Sequence, residues 1–162
     1  MNVLREYHAA MGTLILAHEG TLERFTGDGI MIFFNDPVVV TNPAERALRM
    51  AVAMQEYAAA LLGKWQKQGY DLGFGIGVAQ GYATIGAIGF EGRWDYGAIG
   101  NVTNLAARLC AEAKPGQILV SRRVLATVEG LLDAEPVGEI TLKGFLKPVS
   151  TFNVLRLKNP AR

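Results

Sequence analysis

The sequence contains a single cysteine, Cys110, so no disulfide can form within the chain and nothing in its cysteine usage calls for an oxidising compartment. No apolar run approaches the ~20 residues that a membrane helix needs. The opening MNVLREYHAAMG lacks the basic-then-apolar shape of a signal peptide. These absences lead to the expectation of a soluble, cytoplasmic chain with no membrane segment. An excess of charge is missing as well. Sixteen basic residues face 15 acidic ones, for a net charge of +1. No basic run dominates any segment, which argues against a dedicated nucleic-acid binder. The glycine-rich GFGIGVAQG, residues 73–81, lacks the Gly-Lys-Ser/Thr ending of a P-loop, and residues 82–88 after it read as a strand entered by a turn rather than the helix of a dinucleotide fingerprint. His8 and His18 have no metal-ligand partners at useful spacing and read as surface helix positions. Cys110, beside Leu109 on an expected helix, reads as core rather than nucleophile.

What is present is a globular composition. Half of the 162 residues are hydrophobic and 19% are charged, enough for one domain over residues 1–162 with a real core. Glycine is abundant, with 19 residues, many of them between Gly63 and Gly100. Glycines in strands mark bulges, tight hairpins or places where another backbone or a ligand comes close. Apolar residues Leu4, Tyr7, Met11, Leu14 and Ile15 give residues 2–19 a helical period, ended by Gly20. Strands are expected over 21–26 and, buried, over 30–34, joined at Gly27-Asp28-Gly29. Asn42-Pro43-Ala44-Glu45 has the chemistry of a capped helix start, with Asn42 as cap and Glu45 closing a capping box, and Gly69 stops that helix. Residues 72–79 and 82–88 read as two strands turning at Gln80-Gly81. Residues 90–97 read as an exposed polar and aromatic arm, and 99–112 as a second long helix. A turn at 114–117 comes next, then a strand at 118–121, a short helix at 122–128, and strands near 137–142 and 151–155. The order α-β-β-α-β-β-α-β-(α)-β-β predicts an α+β fold, a mostly antiparallel sheet with helices on one face. The first helix has no strand before it, where a split βαβ, ferredoxin-like arrangement wants one.

Three places carry candidate chemistry. Asp28 sits between two glycines. Asp-Gly is a favoured hairpin turn, and a short carboxylate at a hairpin tip is also a ligand for Mg²⁺, which takes one or two carboxylates plus substrate phosphates. Asn104 and Arg108 are four residues apart and share one helix face, as ordinary solvated side chains or as a pair that holds a ribose and a phosphate. Lys143, beside Gly144, is a solvated lysine or one that meets a phosphate tail.

In order along the chain, FTGDGIMIFF, NPAERALRMAVAMQ, LGFGIGVAQGYATIGAIGFEGRWDYGAIGNVTNLAARL, KPGQILVS and LKGF resemble the class III nucleotidyl cyclases, from Leu4 to Leu155. The resemblance is densest over residues 72–121. It implies the ferredoxin-like cyclase fold and conversion of a nucleoside triphosphate into a 3′,5′-cyclic nucleotide and pyrophosphate. It also implies a head-to-tail homodimer whose active sites are each built from both protomers, with two Mg²⁺ or Mn²⁺ ions per site. By position, Asp28 resembles the second metal aspartate, Asn104 the residue that orients the ribose, Arg108 the arginine that stabilises α-phosphate charge, and Lys143 a phosphate-contacting lysine. Residues 90–96 match the segment that reaches over the partner.

The chain also departs from the pattern. The first metal aspartate belongs to a Phe-x-Asp-Ile-x-Gly-Phe-Thr motif upstream of the first helix. The expectation is therefore a domain without its first strand, half its metal cage and a phosphate-binding loop, drawn from a longer parent with an upstream regulatory domain. Arg24 stands where adenylate cyclases have an adenine-reading lysine, and Gly97 stands where that lysine's Asp or Thr partner falls. The resemblance favours ATP over GTP. The alternative is a catalytically silent dimerisation or regulatory module, and this chain alone is expected to turn over little. A diguanylate cyclase is excluded because its Gly-Gly-Asp/Glu-Glu-Phe hairpin is absent.

Overall fold

A computed structural model describes residues 2–26, 29–35, 39–69, 72–81, 84–90, 93–99, 101–128, 130–141 and 148–158. Helix α1 (Asn2–Ala17) presents Ala10, Met11 and Ile15 to the interior, as its helical period predicts. Its C-terminal turn differs from the expectation. The left-handed residue is Glu19 (φ 61°), with Glu19 N–H donating to the Leu16 carbonyl at 3.2 Å and Gly20 N–H to the Ile15 carbonyl at 2.9 Å. That is a Schellman closure with a glutamate in the place glycine usually takes. Gly20 is small for a different reason. A Cβ there would lie 3.0 Å from Ile32 Cγ2 and 3.1 Å from Phe34 Cζ.

Helix α2 (Pro43–Lys67) also begins differently. Asn42 adopts φ 53°, ψ 62° and makes no side-chain cap, and the carboxylate of Glu45 accepts from Arg49 Nε at 2.8 Å. Asparagine tolerates the left-handed region better than most residues, and here that property is used in place of its capping oxygen. Pro43 does occupy the first turn, and Gly69 (φ 95°) ends the helix as expected. Its buried stripe runs Ala44, Ala47, Leu48, Met50, Ala51, Met54, Ala58 and Trp65.

Strands β1 (Thr21–Thr26) and β2 (Gly29–Phe33) form an antiparallel ladder, and β2 is half-buried along its length rather than fully buried. The next strand, β3 (Ile76–Val78), does not turn back on its successor. It pairs in parallel with β6 (Ile118–Ser121), and β4 (Thr84–Phe90) pairs antiparallel with β5 (Arg93–Ile99). Of the expected arm at 90–97, Phe90 thus ends β4 and residues 93–97 lie in the strand paired with it. Its Arg-Trp-Asp-Tyr alternation has the strand period. Helix α3 (Asn101–Glu112) lies in the crossover between β3 and β6 that a parallel pair requires. After the short α4 (Arg122–Thr127), β7 (Leu132–Ile140) and β8 (Val149–Leu157) form a hairpin longer than expected, and the larger sheet runs β3-β6-β8-β7. Pro136 is accommodated because β7 is an edge strand with a bulge between Pro136 and Gly138. Among the described residues only the β3–β6 ladder is parallel.

The sheet has helices on both faces, not one. Along β6, Ile118 and Val120 join Leu48, Ala51 and Val124, whereas Leu119 joins Leu105 and Leu109 of α3. Alternate strand residues point to opposite faces, so α2 and α4 cover one side and α3 the other. Every residue of β6 is accordingly buried.

Candidate functional site

The site is built around α3. Leu105 and Leu109, one turn apart, face the sheet and are buried, which turns Asn104 and Arg108 to the exposed side of the same helix. Glycines hold the helix in place. A Cβ on Gly77 would lie 2.4 Å from the Cys110 backbone nitrogen and 2.7 Å from the Ala106 carbonyl oxygen. One on Gly75 would lie 2.9 Å from Ala113 Cβ, and one on Gly73 would lie 2.6 Å from Pro115 Cγ. The glycine-rich 73–77 stretch is therefore a seat for α3 and the turn after it. In that turn, Pro115 and Gly116 (φ 87°) take the central positions, as a type II turn requires, and Gln117 N–H donates to the Lys114 carbonyl at 2.9 Å.

Arg108 is half-exposed and held at two points. Its Nε donates to Glu112 Oε2 at 3.1 Å and its Nη1 to the Thr141 carbonyl at 3.3 Å. Thr141 directly precedes the segment that carries Lys143, which lies outside the described residues. Strand β5 runs into α3 across a single residue and approaches β1. The fold thus gathers the elements that bear Asn104, Arg108, Gly97 and Arg24. Arg24 follows a bulge in β1 and pairs with Met31, while its side chain is outside the described set. Gly97 stands directly opposite Gly86 in the β4–β5 ladder, so neither strand offers a side chain there. Thr26 pairs with Gly29, which leaves Gly27 and Asp28 as the whole connection at the end of the β1–β2 ladder. Both lie outside the described residues. Among the described residues no cluster of three or more His, Cys, Asp or Glu is placed to hold a metal.

Other residues stand elsewhere. Cys110 is exposed rather than core, because the buried stripe of α3 passes through Leu105 and Leu109, and its Sγ lies 3.6 Å from the Gly75 carbonyl. His8 and His18 are half-buried, and His18 Nδ1 is 2.9 Å from the Leu14 carbonyl. An open groove of about 330 Å³ between α1 and α2, lined by Glu6, Ala10, Thr13, Tyr57 and Leu61, holds none of the predicted site residues. Sequence reasoning missed Glu112 and the Thr141 carbonyl as partners of Arg108. The four-residue spacing from Arg108 to Glu112 was a visible signal for the first, and nothing local signalled the second. No described helix is long and apolar enough to cross a membrane.

Residues 1–156 match the family described as the adenylate and guanylate cyclase catalytic domain. Adenylate cyclase 1 of Rhizobium meliloti is 30% identical over 156 residues, covering 94% of this chain and 24% of the relative. The chain thus spans about a quarter of that relative's length. Among solved structures, the adenylyl cyclase CyaB from P. aeruginosa superposes with a TM-score of 0.86 at 31% identity, covering 96% of this chain and 81% of that one. The guanylyl cyclase Cya2 superposes with a TM-score of 0.91 at 30% identity, covering 99% and 82%.

Proposed function

The chain belongs to the adenylate and guanylate cyclase catalytic-domain family, and we propose that residues 1–162 are one catalytic domain of a longer protein that converts ATP, and less readily GTP, into the 3′,5′-cyclic nucleotide and pyrophosphate, the chain by itself turning over little. The observation that carries this reading is the joint exposure of Asn104 and Arg108 on one face of α3, next to β5 and seated by the glycines of 73–77. In the reaction the ribose 3′-oxygen bonds to the α-phosphorus, the bond from that phosphorus to the bridging oxygen breaks, pyrophosphate leaves, and the hydroxyl proton passes to solvent. Asn104 offers an amide to orient the ribose. Arg108 offers guanidinium donors to the charge that builds on the α-phosphate. Lys143 would meet the phosphate tail, and Arg24 and Gly97 would border the base. Asp28 would hold divalent metal, Mg²⁺ or Mn²⁺, which when bound neutralises triphosphate charge and acidifies the attacking hydroxyl. The working form is a homodimer, with regulation supplied by an upstream domain of a longer parent, and the site of action is the cytoplasm.

The test is turnover of the full-length protein with Mn²⁺ or Mg²⁺ and either ATP or GTP, with cyclic nucleotide measured. Arg108→Ala and Asn104→Ala should each lower kcat by roughly 10²–10³, and Asp28→Ala should abolish turnover. Undiminished activity in all three variants would overturn the reading. A second reading is favoured by one observation, the Gly86–Gly97 pair that leaves the base position without a side chain. It makes the domain a silent dimerisation or regulatory module, and it is chosen if the protein dimerises yet yields no cyclic nucleotide from either substrate.

A further inference from the structure

Arg108 does not extend freely from α3. One contact, Nε to Glu112 Oε2 at 3.1 Å, joins side chains 43% and 45% exposed within the same helix, and such a pair by itself adds little to stability. The other, Nη1 to the Thr141 carbonyl at 3.3 Å, comes from a different element, just past the end of β7 and immediately before the segment with Lys143. A planar guanidinium held at two nitrogens has its plane fixed. Of its five N–H donors, Nε–H and one on Nη1 are used, and three on Nη1 and Nη2 remain. A long side chain left unbraced would spread over many rotamers and would have to be ordered at the moment of reaction.

We propose that Glu112, together with the Thr141 carbonyl, is a positioning residue that holds the Arg108 guanidinium ready to receive the α-phosphate of a nucleoside triphosphate. This rests on reading Arg108 as the residue that stabilises charge on that phosphate. The brace leaves the substrate-facing donors open and sets their direction before substrate arrives, which is what makes a donor effective in a transition state. It also ties α3 to the backbone just past the end of β7.

The experiment uses the full-length protein with Mn²⁺ and ATP. Glu112→Ala is expected to lower kcat roughly tenfold with KM within about twofold, because the lost orientation matters in the transition state and not in ground-state binding. Glu112→Gln keeps an acceptor oxygen for Nε–H and should recover most of the loss. In the double variant Arg108→Ala/Glu112→Ala, the effect of Glu112 should vanish, leaving the activity of Arg108→Ala alone. A collapse in Arg108→Ala with kcat unchanged in Glu112→Ala overturns the brace and leaves the role of Arg108 intact. An additive double variant overturns it too, because Glu112 would then act through something other than Arg108. Wild-type turnover in Arg108→Ala removes the underlying reading and the inference with it. A measurement independent of turnover is the Arg108 Nε–H signal by ¹⁵N nuclear magnetic resonance. Slow exchange in the unaltered protein that becomes solvent-like in Glu112→Gly or Glu112→Ala supports the brace, and solvent-like exchange in the unaltered protein overturns it.

Discussion

Gly77 decides how closely α3 can lie on β3, and through that where Asn104 and Arg108 stand. The atoms a side chain would strike, the Cys110 nitrogen at 2.4 Å and the Ala106 oxygen at 2.7 Å, are backbone atoms with no rotamer to yield. Gly77→Ala must therefore push the helix away from the sheet, and the expected cost is about 3 kcal/mol or more. Gly63 is the contrast. It lies on α2 with nothing within 4 Å of its added Cβ, and Gly63→Ala should stabilise by roughly 0.5–1 kcal/mol through helix propensity. Urea melts of the two variants beside the parent protein check both signs, and a Gly77→Ala protein as stable as the parent would show that α3 is not seated as described. At this scale the sequence is half-legible. The glycines of 73–77 announce that something approaches closely, but what approaches is a helix whose identity only the tertiary structure supplies. Asn42 shows the limit from the other direction. Its residue type is right for a cap, yet its φ of 53° takes it out of the extended conformation from which a cap presents its accepting oxygen.

Helices α1 and α2 are clamped by one carboxylate. Glu6 accepts from Lys64 Nζ at 2.7 Å and from Trp65 Nε1 at 3.1 Å. The hydrogen bond from Lys64, and after it that from Trp65, holds the Glu6 pKa below the ordinary glutamate value. A carboxylate whose folded value is lowered contributes stability that is fully present above the unfolded value and is lost as pH falls through the folded one. The melting temperature should thus drop more steeply on acidification below about pH 4.5 in the parent protein than in Glu6→Gln. Identical acid limbs in the two proteins would show that the clamp carries no pH dependence. Both helices are legible in the sequence, because apolar period is a local property. Strand partners are not. Residues 72–79 and 82–88 carry a turn signal between them, yet Ile76 pairs with Ile118 and Ile85 with Ala98. A strand in a parallel pair takes its partner from the crossover, and no local turn preference decides that choice.

At the scale of the whole molecule, one subunit gathers β1, β5 and α3, and with them Arg24, Gly97, Asn104 and Arg108, while Asp28 belongs to the connection at the end of β1–β2. Whether and how a second copy would share these parts is invisible to periodicity and spacing, because assembly is written in surfaces rather than in local pattern. The resemblance supplies the expectation of a composite site, and it can be tested by complementation. If the metal carboxylate of one protomer serves the arginine of the other, Asp28→Ala and Arg108→Ala are each inactive as homodimers. Mixed, they rebuild one complete site per heterodimer, the other site carrying both lesions. Random pairing of equal amounts makes half of the dimers mixed, and each has one working site of two, so about a quarter of the parent activity should return. If instead Asp28 and Arg108 served the same site from the same chain, every site in every dimer would lack one of them and the mixture would stay inactive. The measurement is cyclic nucleotide formed by the refolded or co-expressed mixture against each variant alone, with sedimentation confirming that the mixed species is dimeric. A dimeric mixture with no recovered turnover would remove the composite site and leave the subunit as the unit in which Asp28 and Arg108 must meet.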